Sequence, residues 1–172
     1  MTVKTENKVN SYLSFRIGSE IFAANVKNVL NILEMAKITK VPKSPEYMKG
    51  VINLRGTVLP VIDSRIKFGV KETEITTNTC IIVLELHTGG EPIMVGTIVD
   101  AVKEVLEIDD AEILAPPSIG TSFRSEFLKG MAQSENGFIM LLDAEKVFAS
   151  DEIVDLQNIT AEVDNKSIEE VQ

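Results

Sequence analysis

The sequence predicts a mainly β protein built from two related lobes, and three observations support this fold class. Runs rich in Val, Ile and Leu recur along the chain and are separated by Gly, Asn and Ser turn signals. A weak internal repeat divides these runs into two sets. The 172 residues are 44% hydrophobic and 25% charged, a composition typical of a soluble globular protein. A chain of this length can bury roughly 70% of its unfolded surface.

Seven segments have the β-branched and aliphatic content of strands. They are residues 12–17, 20–26, 50–54, 57–62, 80–86, 92–99 and 137–142. Pro60 interrupts the fourth of them and cannot donate a ladder hydrogen bond, so we expect it at an edge or a bulge.

Helices are predicted where apolar residues recur at helical spacing. Val26, Val29, Leu30 and Leu33 fit one face of a short helix. Further short helices are predicted at 63–68 and 143–149. A terminal helix is predicted at 151–164, because its apolar residues keep helical spacing and acids fill its first turn; the remaining 165–172 are expected to be frayed.

The repeat consists of two blocks in the same order. "VKNVLNI" at 26–32 matches "VKEVLEI" at 102–108, an offset of 76 residues. Lys-Gly, Asp and Phe recur at an offset of 80: 49–50, 63 and 68 match 129–130, 143 and 148. Each block is too small to bury a complete core, so two lobes should pack together and leave a groove at their seam.

Charge is unevenly distributed along the chain. Residues 1–70 hold eleven Lys and Arg against five Asp and Glu (net +6), whereas residues 71–172 hold six against twenty-one (net −15). The overall charge of −9 and the 5% aromatic content argue against nucleic acid as a partner. The asymmetry can steer a partner or a head-to-tail neighbour; the alternative is that both halves simply have solvated faces.

Residues that carry catalytic chemistry are scarce. Cys80 alternates with core residues and is interpreted as a buried structural thiol, and His87 lies beside a Gly-Gly turn. One Cys and one His do not make a zinc site, and no glycine-rich phosphate-binding motif occurs. The polar opening "MTVKTENKVN" is not a signal peptide, and no apolar run approaches the roughly 20 residues of a spanning helix. We therefore expect a cytoplasmic binding module without cofactor, metal or membrane insertion.

An arginine interrupts the apolar stretch "VINLRGTVLP", residues 51–60. Burying its charge would cost several kcal/mol unless it were paired. If the stretch is a hairpin turning at Arg55-Gly56, Ile52 and Leu54 face one side and Arg55 the other. The guanidinium then lies at the rim, where it can bind a partner's carboxylate or carbonyls. The alternative is an internal ion pair with an acid of the second half.

Three segments of the chain carry a joint pattern: "YLSFRIGSEIFAANVKNVLNI", "VPKSPEYMKGVINLRGTVLPVIDSRIKFG" and "VGTIVDAVKEVLEI". Together they resemble the CheW-type family of bacterial chemotaxis coupling proteins. The family pattern P-x-[FY]-[ILMV]-x-G-[VI]-x-N-[LV]-R-G-x-[VIL]-x-P-[VI]-[VI]-[DN] is matched without a gap from Pro45 to Asp63, and the resemblance covers about residues 11–150.

The resemblance implies two SH3-like five-stranded β-barrels around a shared apolar seam over residues 11–150, followed by a C-terminal helix and frayed acidic tail at 151–172. It also implies a non-catalytic adaptor of a two-component signalling system. Such an adaptor joins the cytoplasmic tip of methyl-accepting chemoreceptors to the regulatory domain of the chemotaxis histidine kinase.

Six residues fall on family positions tied to receptor or kinase contact. They are Val29, Asn31, Gly50, Arg55, Gly56 and Val105. Asn31 replaces the family's usual acid, with Glu34 three residues on, so an ion pair expected there is weakened or moved. Val29 and Val105 are repeat equivalents, and both are expected to border the seam.

The sequence is also compatible with other functions. The nearest is a coupling protein of another receptor array, serving twitching or a second-messenger pathway. A small β-barrel enzyme or ligand carrier would instead use the groove between the lobes, and a nucleic-acid-binding barrel would use the basic half.

Overall fold

Ten β-strands and two α-helices form in the part of the chain that the computed structural model describes. That part comprises residues 8–71, 74–87, 90–116, 125–135, 137–148 and 150–171. The strands are β1 (Val9–Ile17), β2 (Glu20–Asn25), β3 (Val29–Glu34), β4 (Met48–Leu54), β5 (Thr57–Asp63), β6 (Cys80–Leu86), β7 (Ile93–Val99), β8 (Ala101–Asp109), β9 (Leu128–Ser134) and β10 (Gly137–Leu142). The helices are α1 (Ser64–Phe68) and α2 (Ser150–Val171).

The strands form two five-stranded sheets with the same architecture. Sheet A has the order β8-β1-β2-β10-β9, and sheet B has the order β3-β6-β7-β5-β4. Shifting every strand number by five converts one order into the other. The single parallel pairing of each sheet, β2 with β10 and β5 with β7, occupies the equivalent place. The chain therefore consists of two repeats, β1–β5 and β6–β10, and each sheet combines a two-strand hairpin of one repeat with three strands of the other.

Hydrogen bonds outside the ladders follow the same symmetry. Thr39 bridges to Val51 in sheet B, and Leu114 bridges to Met131 in sheet A. Equivalent backbone bonds join Asp63 N–H to Tyr47 O (2.8 Å) and Asp143 N–H to Phe127 O (2.9 Å). The sequence repeat is thus a structural repeat, as predicted.

The sheets differ from the expected closed barrels. The edge strands β8 and β9 of sheet A, and β3 and β4 of sheet B, are not hydrogen-bonded to each other. Only the isolated bridges draw the segments after β3 and β8 towards the opposite edges. Pro42 and Pro45 follow β3, and Pro116 follows β8; because proline lacks an N–H, these segments do not extend into a closing strand. The prediction of two five-stranded units is confirmed, and that of closed barrels is corrected.

Some predicted elements have a different form in the structure. The helix predicted from Val26 to Leu33 is wrong: only 26–28 form a 3-10 turn, and strand β3 follows. The segment 143–148 forms turns and no helix, whereas α1 confirms the helix at 63–68. Strands β8 and β9 were not predicted. Helix α2 continues to Val171, through most of the segment expected to be frayed.

Pro60 lies inside the sheet, opposite Val51 of β4. On its other side the pairing of β5 with β7 begins only at Val61. Pro60 therefore lies where one side of β5 is unpaired, a local edge of the kind expected, and its missing N–H leaves no gap in the ladder.

A shared apolar core lies between the sheets and takes residues from both repeats and from α2. Phenylalanine rings run through it in sequence: Phe15 lies 6.4 Å from Phe22, Phe22 lies 5.4 Å from Phe68, and Phe68 lies 5.7 Å from Phe127. Ile153 and Leu156 of α2 are buried in the same cluster. Each sheet also curves around a smaller core of its own. The predicted seam is therefore a continuous hydrophobic core.

A buried charged network joins the repeats beside this core. Arg65, only 3% exposed, donates from Nε and Nη2 to the two carboxylate oxygens of Asp63 at 2.9 Å, and its Nη1 lies 3.4 Å from Asp100 Oδ1. Asp100 also accepts from Gly18 N–H at 2.6 Å. The guanidinium thus connects α1 of the first repeat to the β7–β8 turn of the second and, through that turn, to the β1–β2 turn.

We expect Arg65→Ala to lower the free energy of unfolding by about 3–5 kcal/mol, because it removes the buried cation that contacts both carboxylates and leaves Asp63 only the more distant Lys49, at 3.8 Å. Urea denaturation followed by circular dichroism measures the loss. The matched control is Arg55→Ala, which removes an exposed arginine and should change stability by about 0.5 kcal/mol or less. Equal losses in the two variants would contradict the assigned role of the network.

Candidate protein-binding surface

Arg55 and Gly56 form the two-residue turn between β4 and β5. Both have positive φ, 52° and 85°, as a type I′ hairpin turn requires. The Gly56 N–H donates to Asn53 Oδ1 at 2.8 Å, so the asparagine side chain stabilises the turn. Arg55 is exposed and makes no ion pair with any described residue. The charge in the apolar hairpin is therefore presented to solvent on a rigid support.

Gly50 lies in the middle of β4 and has a different role from the turn. It is buried, with φ of 148°, and a Cβ at this position would overlap the Thr39 carbonyl oxygen and Ile38 Cγ2. Its missing side chain lets the segment after β3 close onto β4. Gly50 consequently shapes the edge of sheet B, and its place at a partner contact stays a prediction.

Val29 and Asn31 lie on β3, at the opposite end of the strand order of sheet B from β4. Val29 is half-buried and packs against the shared core, as expected for a residue at the seam. Asn31 is also half-buried, and its Oδ1 accepts from Ile32 N–H at 2.8 Å. In place of a charged side chain, this position therefore presents an amide bonded to its own edge strand.

Two exposed apolar residues on β3 were missed in the sequence. Leu30 and Ile32 are 47% and 46% exposed on the free edge of sheet B. In the structure, Val29–Glu34 alternate between half-buried and exposed positions, but the apolar residues of "VLNILE" do not alternate with polar ones. No local signal therefore marked these two residues, and the helical spacing from Val26 to Leu33 favoured a helix instead.

Val105 lies on β8, an edge strand of sheet A, and is paired with Leu13 of the shared core. It is 58% exposed and does not pack into that core. The expectation that Val105 borders the seam as Val29 does is therefore corrected. The register shift of the β1–β8 pairing, between Leu13 and Phe15, lies beside it, and Ser14 fills this irregularity with hydrogen bonds to the Glu104 backbone.

An open apolar groove of about 290 Å³ lies beside strand β5, next to the Arg55-Gly56 turn. Strands β5 and β7 form one wall, and helix α2 forms the other. The lining residues are Thr57, Val58, Pro60, Ile93, Met94, Leu156, Gln157, Thr160 and Ala161. Arg55 and Gly56 immediately precede Thr57, so the cationic turn stands at the lip of this groove.

The helix wall of this groove is anchored by a lysine enclosed by aromatic rings. Lys67 forms an ion pair with Glu152 of α2. Its Nζ lies 4.6 Å from the centroid of Tyr47, 5.2 Å from that of Phe148 and 5.7 Å from that of Phe127. These contacts fix the start of α2 against both repeats.

A second open cavity, of about 670 Å³, lies between the edge strands of sheet A. Apolar side chains of β8, β9 and β10 line it together with Glu107 and Glu112. Exposed acids continue around it at Asp110 and Glu135. The equivalent edge of sheet B carries the exposed cations Lys37, Lys40, Lys43 and Arg55 and only two exposed acids, Glu34 and Glu46. Cations therefore predominate on the edge of sheet B and acids on the edge of sheet A.

Groups with reactive potential have no catalytic setting among the described residues. Cys80 packs against the shared core, and burial raises the pKa of its thiol, which keeps it protonated and a poor nucleophile. The exposed His87 places Nε2 2.8 Å from Glu85 Oε1. Across the described ranges, no cluster of three or more His, Cys, Asp or Glu side chains could hold a metal ion. Neither described helix is apolar enough over sufficient length to span a membrane.

Comparison with known proteins identifies similar chains. Residues 11–152 match the model of the CheW-like domain. The chain is 36% identical over 140 residues to a chemotaxis protein CheW of Rhizobium meliloti, covering 81% of this chain and 88% of that one. It is 31% identical over 148 residues to a chemotaxis protein CheW of Klebsiella aerogenes, covering 86% and 87%. The crystal structure of the scaffolding protein TtCheW from Thermoanaerobacter tengcongensis superposes with a TM-score of 0.75 at 29% identity, covering 88% and 96%.

The two glycines of the β4–β5 hairpin should respond differently to alanine. We expect Gly50→Ala to lower the free energy of unfolding by about 3 kcal/mol or more, because the methyl group overlaps the Thr39 backbone. Gly56→Ala should cost only about 1 kcal/mol, since nothing lies near its Cβ and only the left-handed backbone is penalised. Urea denaturation of both variants tests this; a Gly50→Ala variant as stable as Gly56→Ala would contradict the tight approach.

Proposed function

The chain belongs to the CheW-like family, and from this premise we propose that it is a non-catalytic adaptor that couples chemoreceptor cytoplasmic tips to the regulatory domain of the chemotaxis histidine kinase. Residues 11–150 form the coupling domain in this proposal, and 151–172 form a C-terminal helical segment. The adaptor works in the cytoplasm, reaches receptor arrays through its partners and requires no cofactor.

The observation that carries the proposal is the presence of separate exposed surfaces on one rigid body. The Arg55 turn and the β3 edge lie on sheet B, whereas Val105 and the acidic edge lie on sheet A. Because both sheets are fixed to the same buried core, two partners bound at these places are held at a defined relative position. A change in the contact made by one partner can then alter the geometry seen by the other.

The receptor tip is proposed to dock in the groove between β5, β7 and α2. Receptor tips in this family are helical hairpins, and a helix can place apolar side chains into such a groove. Arg55 at the lip offers planar donors to a carboxylate or to the carbonyls at a helix end. An interface of the standard size of about 1,600 Å² is sufficient for micromolar binding.

The kinase regulatory domain is proposed to dock at the charged edges. In this family that domain consists of related lobes, so an acidic edge of sheet A can meet a basic edge of the sheet B type. Charge complementarity of this kind increases the rate of association and selects the orientation more than it increases affinity.

The function is tested by reconstitution with receptor-containing membranes and the histidine kinase. Kinase autophosphorylation should rise only when this protein is added, and the protein should co-sediment with both partners. Turnover of a small molecule by the protein alone, with no effect on the kinase, would contradict the adaptor function.

We expect Arg55→Ala to weaken co-sedimentation with receptor membranes about tenfold or more, because it removes charge-assisted hydrogen bonds at the groove. Its circular dichroism spectrum should match that of the unsubstituted protein. Lys71→Ala, which removes an exposed cation between α1 and β6, is the matched control and should bind normally. Equal binding by the two variants would exclude Arg55 from the interface.

Kinase binding should weaken several-fold as ionic strength rises from about 0.05 to about 0.5 M, since exposed charges are screened over this range. The double variant Glu107→Gln/Glu112→Gln should bind more weakly and with a smaller salt dependence. The control Glu20→Gln/Glu46→Gln removes two exposed acids elsewhere and should leave both unchanged. Titration by isothermal calorimetry measures these effects, and a salt-independent affinity would remove the electrostatic part of the proposal.

A further inference from the structure

Each repeat of this chain is incomplete by itself and is completed by the other repeat. Four strand pairings join the repeats: β1–β8 and β2–β10 in sheet A, and β3–β6 and β5–β7 in sheet B. The shared core and the Arg65–Asp100 contact cross the same boundary. A single repeat therefore holds a hairpin of one sheet and three strands of the other, and it buries neither.

One covalent link joins these halves, between the end of α1 and the start of β6. It leaves α1 through Gly69, which has a left-handed conformation, and re-enters the sheet after a turn in which Thr79 N–H donates to Thr76 O. None of its described residues pairs in a sheet ladder. Straightening this link would leave every contact between β1–β5 and β6–β10 available to be made with another chain.

We propose that the partner fitted by this boundary is a second copy of the same chain. In the exchanged dimer, β1–β5 of one copy combine with β6–β10 of the other to form two complete two-sheet units. The contacts inside each unit are those of the monomer, so the two states differ mainly in the link and in the entropy of association. Within one chain, the link holds the two repeats at a high effective concentration, which favours the monomer. Exchange therefore takes place when the chains fold at a high protein concentration.

Exchange would alter the adaptor without changing its surfaces. Each unit of the dimer would carry Arg55 from one chain and Val105 from the other. The dimer would therefore present two complete docking units joined by two links.

The structure provides a pair of matched lesions, each confined to one repeat. A side chain at Gly50 would collide with Thr39, and both belong to the first repeat. A side chain at Gly130 would collide with Ile113 and Leu114, and all three belong to the second repeat. A unit built from β1–β5 of the Gly130→Val chain and β6–β10 of the Gly50→Val chain contains neither lesion.

The test is to refold full-length Gly50→Val and Gly130→Val chains separately and as an equimolar mixture. Each chain alone should fail to give folded soluble protein. The mixture should give a soluble species with twice the mass of the unsubstituted monomer in light scattering, and about half of its β-sheet signal per chain. If a glycine variant folds alone, Leu59→Asp and Leu141→Asp replace the pair, since both leucines are fully buried.

The matched control is a mixture of Gly50→Val and Leu59→Asp chains, whose lesions both lie in the first repeat, so no combination of repeats is intact. It should give no folded dimer. If the Gly50→Val and Gly130→Val mixture behaves as the sum of its separate components, or if the control mixture also folds, exchange between copies is overturned.

Discussion

The structure depends on a core that neither repeat can form alone. Phe15, Phe22 and Phe68 come from the first repeat, and Phe127 continues the same row of rings from the second. These rings are buried only when the two sheets face each other. Strands of the two repeats must therefore pair with each other before the apolar surface is removed from water. The sheets consequently have a fixed relative orientation, which is the property an adaptor requires of its frame.

Two arginines show how this frame separates structure from recognition. Arg65 is buried, and its charge is compensated by Asp63 and Asp100. Its removal would leave the desolvation cost of these carboxylates less well compensated. Arg55, eight residues into the apolar hairpin that began at Met48, avoids burial because the turn ends the strand beneath it. One arginine therefore stabilises the fold, whereas the other is exposed and available to a binding partner.

The elements that the sequence predicts correctly are those whose conformation is determined by nearby residues. The Arg55-Gly56 turn and the buried strands were predicted because local chemistry decides them: Gly supports a positive φ, and β-branched runs favour strands. Strands β8 and β9 were not predicted, because the charged segment "VKEVLEID" and the polar segment "LKGMAQS" become strands only by pairing with β1 and β10. The collision that a side chain would cause at Gly50 depends on Thr39, eleven residues away, which no local pattern specifies.

The comparison of the two repeats within this one chain also indicates how a single frame can face different partners. Gly50 and Gly130 keep the same close backbone approach, and Asp63 and Asp143 keep the same backbone bond. At the equivalent hairpin position, by contrast, Arg55 is matched by Glu135, and the basic edge of sheet B is matched by an acidic edge of sheet A. These two close backbone contacts are thus alike in the repeats, whereas the charge at the hairpin turn is reversed. Since electrostatic complementarity penalises like-charge pairing, two partners of opposite charge would each be directed to a different edge without any change in the fold.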